Sequence, residues 1–340
     1  MTCRWLGLLA GIAALSGCSN GSDGNPPAQT PAGADTSGLP GWAIGPFTRY
    51  AGNPVMSPEG TGWESLQALN PGVVEVGGHY QMIYRGIEPA MLSQIGMATS
   101  DDGIQWTRYA NNPVIPNDVA GGVLGYEDPR LVYLDGTYYA FFTRFTTGST
   151  DLFEATSTDL VHWNMTGVVA PGTKNGAVVT DPHGRPVQIN GLYTMYVGEM
   201  EKFSYWTSPD MLHWTQGGTV DLGYGDLGLP DEVCVAVTDY PRRDGSTGHD
   251  IVLFTAGHLV PTGTWYYAIS ETLYSREQPD HQIDRLPGPV LLPTEPYELA
   301  GVTPVTVFMN SILLNDQGLW MMHYGAADTR IGLATAPSRN

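Results

Sequence analysis

The stretch that decides the fold reads His79-Tyr80-Gln81-Met82-Ile83-Tyr84-Arg85. Its apolar and polar side chains alternate and several are aromatic, which predicts a strand that buries one face. Segments of the same kind recur roughly every 60 residues, which is the scale on which propeller blades repeat. The recurrences span residues 137–144, 192–199, 250–257 and 319–325.

Each aromatic segment is followed by a second marker, a strand of small residues such as Ala98-Thr99-Ser100. The marker recurs at residues 155–157, 206–208, 268–270 and 334–336. Five markers of each kind predict an all-β chain folded as a five-bladed β-propeller over residues 41–340, each blade being a four-stranded antiparallel sheet. Three markers continue into a turn with Asp and Trp, which we assign to structure because a unique active site does not repeat. These pairs are Asp102 and Trp106, Asp159 and Trp163, and Asp210 and Trp214.

The composition narrows the possible partners and cofactors. The formal net charge of -19 argues against nucleic acid, because anions are repelled at long range, whereas a small neutral oligosaccharide is compatible. We expect no cofactor and no metal. The three cysteines provide no disulfide framework, and the spacing of Asp226, Asp231 and Glu232 is not that of an EF-hand calcium loop.

The N-terminal segment is typical of a bacterial lipoprotein. Arg4 precedes an apolar run over residues 5–15 that leads through small residues to Cys18. The run is too short to span a bilayer, so we predict a signal peptide over residues 1–18, acylation at Cys18 and a disordered tether over residues 19–40. The protein would then be a monomer in the cell envelope, held at the membrane by its lipid anchor only. An ordinary signal peptide with an incidental cysteine is the alternative.

Residues that break the repeat are the candidates for function, since in a propeller they line the central funnel. They are mainly acidic and amide side chains. Carboxylates accept hydrogen bonds from sugar hydroxyls, and a pair of carboxyl groups can supply acid and base steps. The candidates are Asn70, Arg85, Glu127-Asp128-Pro129-Arg130, Lys174-Asn175, Glu199, Glu232, Glu298 and Asp328.

At these positions the chain resembles glycoside hydrolase family 130, the β-mannoside phosphorylases and related β-mannosidases. Each matching motif is weak alone, but their joint order and spacing are specific. The motifs include Leu69-Asn70-Pro71, Tyr84-Arg85, Ile95 to Ser100, Tyr126-Glu127-Asp128-Pro129-Arg130, Tyr297-Glu298 and Tyr324-Gly325-Ala326-Ala327-Asp328. The resemblance implies a pocket for one terminal mannose and an inverting reaction.

The resemblance also assigns roles. Asp128 matches the catalytic proton donor, which acts partly through a hydroxyl of the mannose. The positions that hold the sugar are Asn70, Arg85, Glu298 and Asp328. As a structural alternative, Arg85 and Asp328 would form a salt bridge between the first and last blades. For Arg130 we favour a structural role as the partner of Glu127.

The choice of nucleophile depends on cationic side chains, because phosphate in a funnel of carboxylates must be neutralised. Lys174 and Asn175 match a pair that contacts phosphate in the phosphorylases. Where further cations are expected, this chain has Glu199 and Glu232. We therefore favour hydrolysis of β-1,2- or β-1,4-linked manno-oligosaccharides, with Glu232 ahead of Glu199 as the general base. Glu199 pairing with a lysine, and Glu232 capping a turn, are the structural alternatives.

Two other functions stay open from the sequence. A phosphorylase site can be assembled from Lys174, Asn175, Arg144 and His258. A non-catalytic glycan-binding lipoprotein would instead use exposed aromatic side chains as stacking platforms, for which the chain offers Trp63, Tyr224 and Trp265. Retention of Asp128 with two acidic base candidates argues against the binder.

Overall fold

The computed structural model describes residues 38–199, 202–220, 232–237, 250–258 and 267–338, with the backbone alone at Lys202, Glu232 and His258. Over these ranges the chain is all-β, with almost no helix. The strands of the first half are β1 (Thr48–Arg49), β2 (Gln67–Val76), β3 (His79–Ile87), β4 (Ser93–Ser100), β5 (Thr107–Arg108), β6 (Val123–Leu134), β7 (Thr137–Thr146), β8 (Thr150–Ser157) and β9 (Asn164–Ala170).

The second half continues the pattern and contains one short helix, α1 (Pro296–Leu299), among its described residues. Its strands are β10 (Gly176–Thr180), β11 (Gln188–Ile189), β12 (Leu192–Glu199), β13 (Lys202–Ser208), β14 (Thr215–Thr219), β15 (Glu232–Val237), β16 (Ile251–His258), β17 (Tyr267–Tyr274), β18 (Gln282–Arg285), β19 (Val307–Leu314), β20 (Leu319–Ala326) and β21 (Arg330–Pro337).

The strands pair in sequence order as antiparallel groups. One sheet has the order β2-β3-β4-β6-β7-β8-β9 with β5 beside β4, and a second has the order β14-β13-β12-β10-β15-β16-β17-β18 with β11 beside β12. A short parallel pairing joins two groups within each of these sheets, at Ser93 with Gly125 and at Val179 with Ala236. The predicted aromatic segments are β3, β7, β12, β16 and β20, which lie in the middle of their groups. The strand predictions are therefore confirmed.

The last group is completed by the start of the described chain. Its order is β1-β21-β20-β19, so β1 pairs with the final strand. The segment before β1 is fixed by two acidic side chains: the Trp42 indole N–H donates to Asp284 at 2.8 Å, and the Ile44 amide donates to the buried carboxylate of Glu271 at 2.9 Å. Strand pairing thus links residues far apart in sequence.

The repeated turn residues have the structural role that the sequence predicted. Asp159 accepts hydrogen bonds from the backbone amides of Val161 and His162 at 2.9 and 2.8 Å. The Trp163 indole donates to the Leu160 carbonyl at 3.0 Å. Equivalent bonds form at Asp210 and Trp214, while apolar side chains fill the spaces between the strand groups.

Candidate active site

The candidate site begins at breaks in the first strands of two groups. The pairing of β2 with β3 shifts between Leu69 and Gly72, and that of β6 with β7 shifts between Glu127 and Arg130. Each break contains a proline, which cannot donate to the strand ladder. The residue before each proline, Asn70 or Asp128, has a positive φ of 50° or 52°, a conformation that Asn and Asp tolerate better than most residues. Bulges of this kind redirect a side chain away from the regular pleat.

Arg85 on β3 brings the predicted acid into a charged cluster. Its Nη1 lies 3.1 Å from Oδ1 of Asp128, its Nη2 lies 2.6 Å from Oε1 of Glu127, and its Nε donates to the Ser93 hydroxyl at 2.7 Å. Burial by itself would lower the pKa of Arg85, but the surrounding carboxylates of Glu127, Asp128 and Asp328 raise it above its usual value. Arg85 is therefore a fixed cation beside Asp128.

Glu127 forms its ion pair with a different arginine from the one that the sequence predicted. Its ion pair is with Arg85, whereas Arg130 donates to the backbone carbonyls of Cys234 at 2.9 Å, Val233 at 2.7 Å and Asp128 at 2.9 Å. These contacts support the predicted structural role of Arg130, but its predicted pairing with Glu127 is wrong. Burial raises the pKa of Glu127. Arg85 and Lys174 oppose that rise, while the charges of Asp128 and Asp328 add to it.

Lys174 extends the cluster towards the next strand group. Its Nζ lies 3.1 Å from Oε2 of Glu199 at the end of β12, so the predicted structural alternative for Glu199 is present. Asn175 is buried with a φ of 61°, and its carbonyl accepts the Gly198 amide at 3.2 Å. Charges of alternating sign thus follow one another from the acid to the far carboxylate. We call this set the charged row: Asp128, Arg85, Glu127, Lys174 and Glu199.

Two further predicted sugar-binding residues lie next to the charged row. Leu69 pairs with Arg85 in the β2–β3 register, and Asn70 follows it within the break. Asn70 is buried, and its side-chain amide donates to Asn310 at 3.2 Å. Asp328 has a φ of 47°, accepts a hydrogen bond from the Thr303 hydroxyl, and its charge acts on both Arg85 and Glu127. The ion pairs of Arg85 are with Glu127 and Asp128, so the predicted salt bridge between Arg85 and Asp328 is not formed.

Glu298 belongs to a different cluster. It lies in α1, is fully buried, and uses both carboxylate oxygens within the protein. Oε1 accepts Arg49 Nε at 2.6 Å and the Tyr324 hydroxyl at 2.7 Å, while Oε2 accepts Arg49 Nη2 at 2.8 Å and the amides of Thr294 and Glu295 at 2.8 and 3.0 Å. This geometry supports a structural role, and sugar binding by Glu298 stays a prediction.

Several predicted features lie outside the described part of the chain. They are the signal peptide with Cys18, residues 19–37 of the tether, Tyr224, Asp226, Asp231, Trp265 and the side chains of Glu232 and His258. Among the residues that are described, no group of three His, Cys, Asp or Glu side chains is placed to hold a metal ion. No helix in that part of the chain is long and apolar enough to cross a membrane.

Comparison with known proteins identifies the family. Residues 64–340 match the model of glycoside hydrolase family 130, described as beta-1,4-mannooligosaccharide phosphorylase. The chain belongs to glycoside hydrolase family 130. The family predicted from the motifs is therefore confirmed, and the protein is an enzyme of a carbohydrate-active family.

Family 130 relatives include enzymes of two reaction types. A 1,2-beta-oligomannan phosphorylase from Thermoanaerobacter sp. (strain X514) is 27% identical over 297 residues, covering 84% of this chain and 95% of the relative. A beta-1,2-mannobiose phosphorylase from the same organism is 26% identical, covering 85% and 96%. A solved structure is 27% identical with a TM-score of 0.76, covering 89% and 98%, and is described by the statement that "the GH130 family of mannoside phosphorylases contains glycoside hydrolases that target beta-1,2 mannosidic linkages in Candida mannan". The predicted preference for hydrolysis is not confirmed, because both curated relatives are phosphorylases.

Proposed function

We propose that this family 130 enzyme cleaves the terminal mannosyl residue from small β-mannosides, with Asp128 as the proton donor and inorganic phosphate as the acceptor. The observation that carries the proposal is the charged row, which places a buried carboxyl group beside a fixed arginine and continues to Lys174. The names of the two curated relatives support both the mannoside and the phosphate.

In this reaction Asp128 transfers its proton to the leaving sugar oxygen, directly or through a hydroxyl of the mannose. The bond between the anomeric carbon and that oxygen breaks, while a phosphate oxygen forms a new bond to the opposite face of the same carbon. The products are α-mannose 1-phosphate and a sugar shortened by one unit. Lys174 would neutralise part of the phosphate charge, and its present partner Glu199 would have to give way to the anion.

Hydrolysis is a second candidate because of Glu199. The Glu199 carboxylate lies next to Lys174, and the Glu199 side chain is 30% exposed. A glutamate that faces the acid across a water molecule is the arrangement of an inverting hydrolase. The solved relative whose description names hydrolases of beta-1,2 mannosidic linkages supports this alternative.

We also propose that the five strand groups close into the five-bladed propeller predicted from the sequence. One cavity of about 40 Å³ is lined by residues of β2, β6, β10, β15 and β19, the first strand of each group. Asn70 and Asn310 join the first and last groups at 3.2 Å, and Arg130 joins the second and fourth. These contacts favour a ring whose axis passes beside Asp128.

The location of the enzyme is a further proposal. We infer a lipid anchor in the bacterial cell envelope from the apolar run and Cys18. The expected monomer rests on the strong net negative charge of the chain. Expression of the full chain and of Cys18→Ala, followed by membrane fractionation, tests the anchor. Release of the variant into the soluble fraction is the expected result, and equal membrane retention of both chains contradicts it.

Product analysis tests the proposed reaction. The protein lacking residues 1–18 is incubated with β-1,2- and β-1,4-mannobiose, with and without inorganic phosphate. Mannose 1-phosphate that forms only with phosphate is the expected product. If free mannose is released at a rate independent of phosphate, the enzyme is a hydrolase and phosphorolysis is excluded. If neither condition gives cleavage, both candidate functions are excluded.

A further inference from the structure

Two carboxylates compete for one arginine at the centre of the charged row. Arg85 uses Nη2 for Glu127 at 2.6 Å, Nη1 for Asp128 at 3.1 Å and Nε for Ser93 at 2.7 Å. The bond to Glu127 is the shortest of the three. Because the guanidinium group is planar, these three partners together define a single orientation.

This orientation keeps the contact between Arg85 and Asp128 to a single hydrogen bond. The described contact of the Asp128 carboxyl group is through Oδ1. Arginine and carboxylate otherwise favour a bidentate pair, in which both carboxylate oxygens are occupied. Such a pair at Asp128 would occupy the second oxygen, Oδ2, which the acid needs for its proton and for the substrate.

We propose that Glu127 is a positioning residue, which holds Arg85 in single contact with Asp128 and so leaves Oδ2 available for proton transfer. The inference rests on the proposed cleavage of β-mannosides. Glu127 acts through Arg85 and does not itself touch the reacting atoms. Nothing in the sequence motif distinguishes this role, because the pairing joins side chains that are 42 residues apart.

The charges around Glu127 predict a pH dependence as well. Arg85 faces it from β3, Asp128 from its own strand, Lys174 from the segment before β10, and Asp328 from the segment between β20 and β21. Burial raises the pKa of Glu127. Once it is protonated, Glu127 loses its charge attraction for Arg85, so its hold on the guanidinium group weakens. Protonation of Glu127 should therefore add to the fall in kcat as the pH is lowered. Glu127→Gln should remove this part of the pH dependence.

The test is a double-mutant cycle on turnover of β-1,2-mannobiose, with Glu127→Gln, Arg85→Lys and the double variant. We expect Glu127→Gln to lower kcat about 30-fold with a change in KM below about threefold, because the lost interaction serves the transition state. In the Arg85→Lys background, Glu127→Gln should lower kcat by less than about threefold, since the arginine through which Glu127 acts has already been replaced. Glu127→Asp provides a second variant that keeps the charge, and it should recover part of the loss.

Glu64 provides the matched control. It is buried, and it pairs with Arg108 at 3.0 Å and with the Tyr84 hydroxyl at 2.9 Å, all outside the charged row. Glu64→Gln should lower the melting temperature and leave kcat within about twofold of the wild type. The positioning role is overturned if Glu127→Gln keeps the wild-type kcat. It is also overturned if the fold-loss of kcat in the double variant equals the product of the two single-variant losses. A wild-type enzyme that does not cleave mannobiose overturns the proposed function instead.

Discussion

Two arginine–carboxylate clusters in this molecule differ in the ratio of hydrogen-bond donors to carboxylate acceptors. In the first, Arg49, the Tyr324 hydroxyl and two backbone amides surround the fully buried Glu298, whose oxygens accept five hydrogen bonds. In the second, Arg85 is shared between Glu127 and Asp128, and further carboxylates lie nearby. Of the two clusters, only the first has a carboxylate, that of Glu298, whose oxygens are fully hydrogen-bonded by protein groups in the described part of the chain.

The difference teaches how to separate a structural carboxylate from a catalytic one. Around the charged row, the carboxylates of Glu127, Asp128, Glu199 and Asp328 face the cations Arg85 and Lys174. An excess of acceptors suits a ligand whose hydroxyl groups donate hydrogen bonds. A carboxyl group whose pKa is raised by burial and that has specific charge partners, as Glu127 does, is also typical of functional sites.

The largest expected effect is on the acid itself. Asp128→Asn should lower kcat about 1000-fold, because general acid catalysis by a positioned side chain contributes on this scale. The melting temperature should change little, since the amide keeps the shape of the side chain and can accept from Arg85. Steady-state kinetics and a thermal unfolding scan check both expectations. Retained turnover would remove Asp128 from its assigned role.

Glu298→Gln should show the opposite pattern and lower the free energy of unfolding by about 3 kcal/mol, because Arg49 is left without its buried anionic partner. Denaturant unfolding measures the loss. The kcat of the folded fraction should stay within about twofold of the wild type. If instead the stability is unchanged and sugar affinity falls, Glu298 binds the substrate as the family resemblance implies.

Lys174→Met addresses the nucleophile at the far end of the charged row. With phosphate as acceptor, KM for phosphate should rise about 10- to 100-fold, the size expected for losing a hydrogen-bonded cationic contact. KM for the mannoside should change by less than about threefold under the same conditions. An unchanged KM for phosphate removes Lys174 from the phosphate site, whereas turnover that does not depend on phosphate favours water as the nucleophile and Glu199 as its base.

A third kind of carboxylate environment gives the smallest predicted effect. Glu154 on β8 is 1% exposed, and burial raises its pKa to about 8. The folded protein then keeps a proton that the unfolded chain releases near pH 4.5, so unfolding releases a proton between these values and stability falls as pH rises. Relative to Glu154→Gln, the wild type should lose about 1 kcal/mol per pH unit between about pH 5 and 7, measured by denaturant unfolding. A constant difference between the two proteins contradicts the raised pKa.

The sequence predicted the features that depend on local pattern. Alternating side chains gave the middle strands of the groups, and repeated Asp and Trp residues marked turns whose bonds are formed within a few residues. The Asp-Pro motif also marked a break in β6, because a proline cannot donate to the strand ladder. The assignment of Asp128 as the acid came from the family resemblance and stays a prediction.

The sequence could not predict which charges would meet. Glu298 is neutralised by Arg49, which lies 249 residues away, and Glu127 pairs with Arg85 rather than with the nearby Arg130. Both outcomes follow from strand pairing and register, which place distant residues side by side. Motif order identifies the candidate residues, but the contacts in the fold decide whether each is structural or available to a substrate.

A crystal structure of Asp128→Asn bound to β-1,2-mannobiose tests the central claim most directly. We predict that the glycosidic oxygen, or a mannose hydroxyl that relays the proton, lies within about 3 Å of the side chain at position 128. Arg85 and Asn70 should lie against the same mannose, and Glu298 should keep its bonds to Arg49. A disaccharide bound away from position 128, or in contact with Glu298 in place of Arg49, would contradict the assignment of the charged row as the active site.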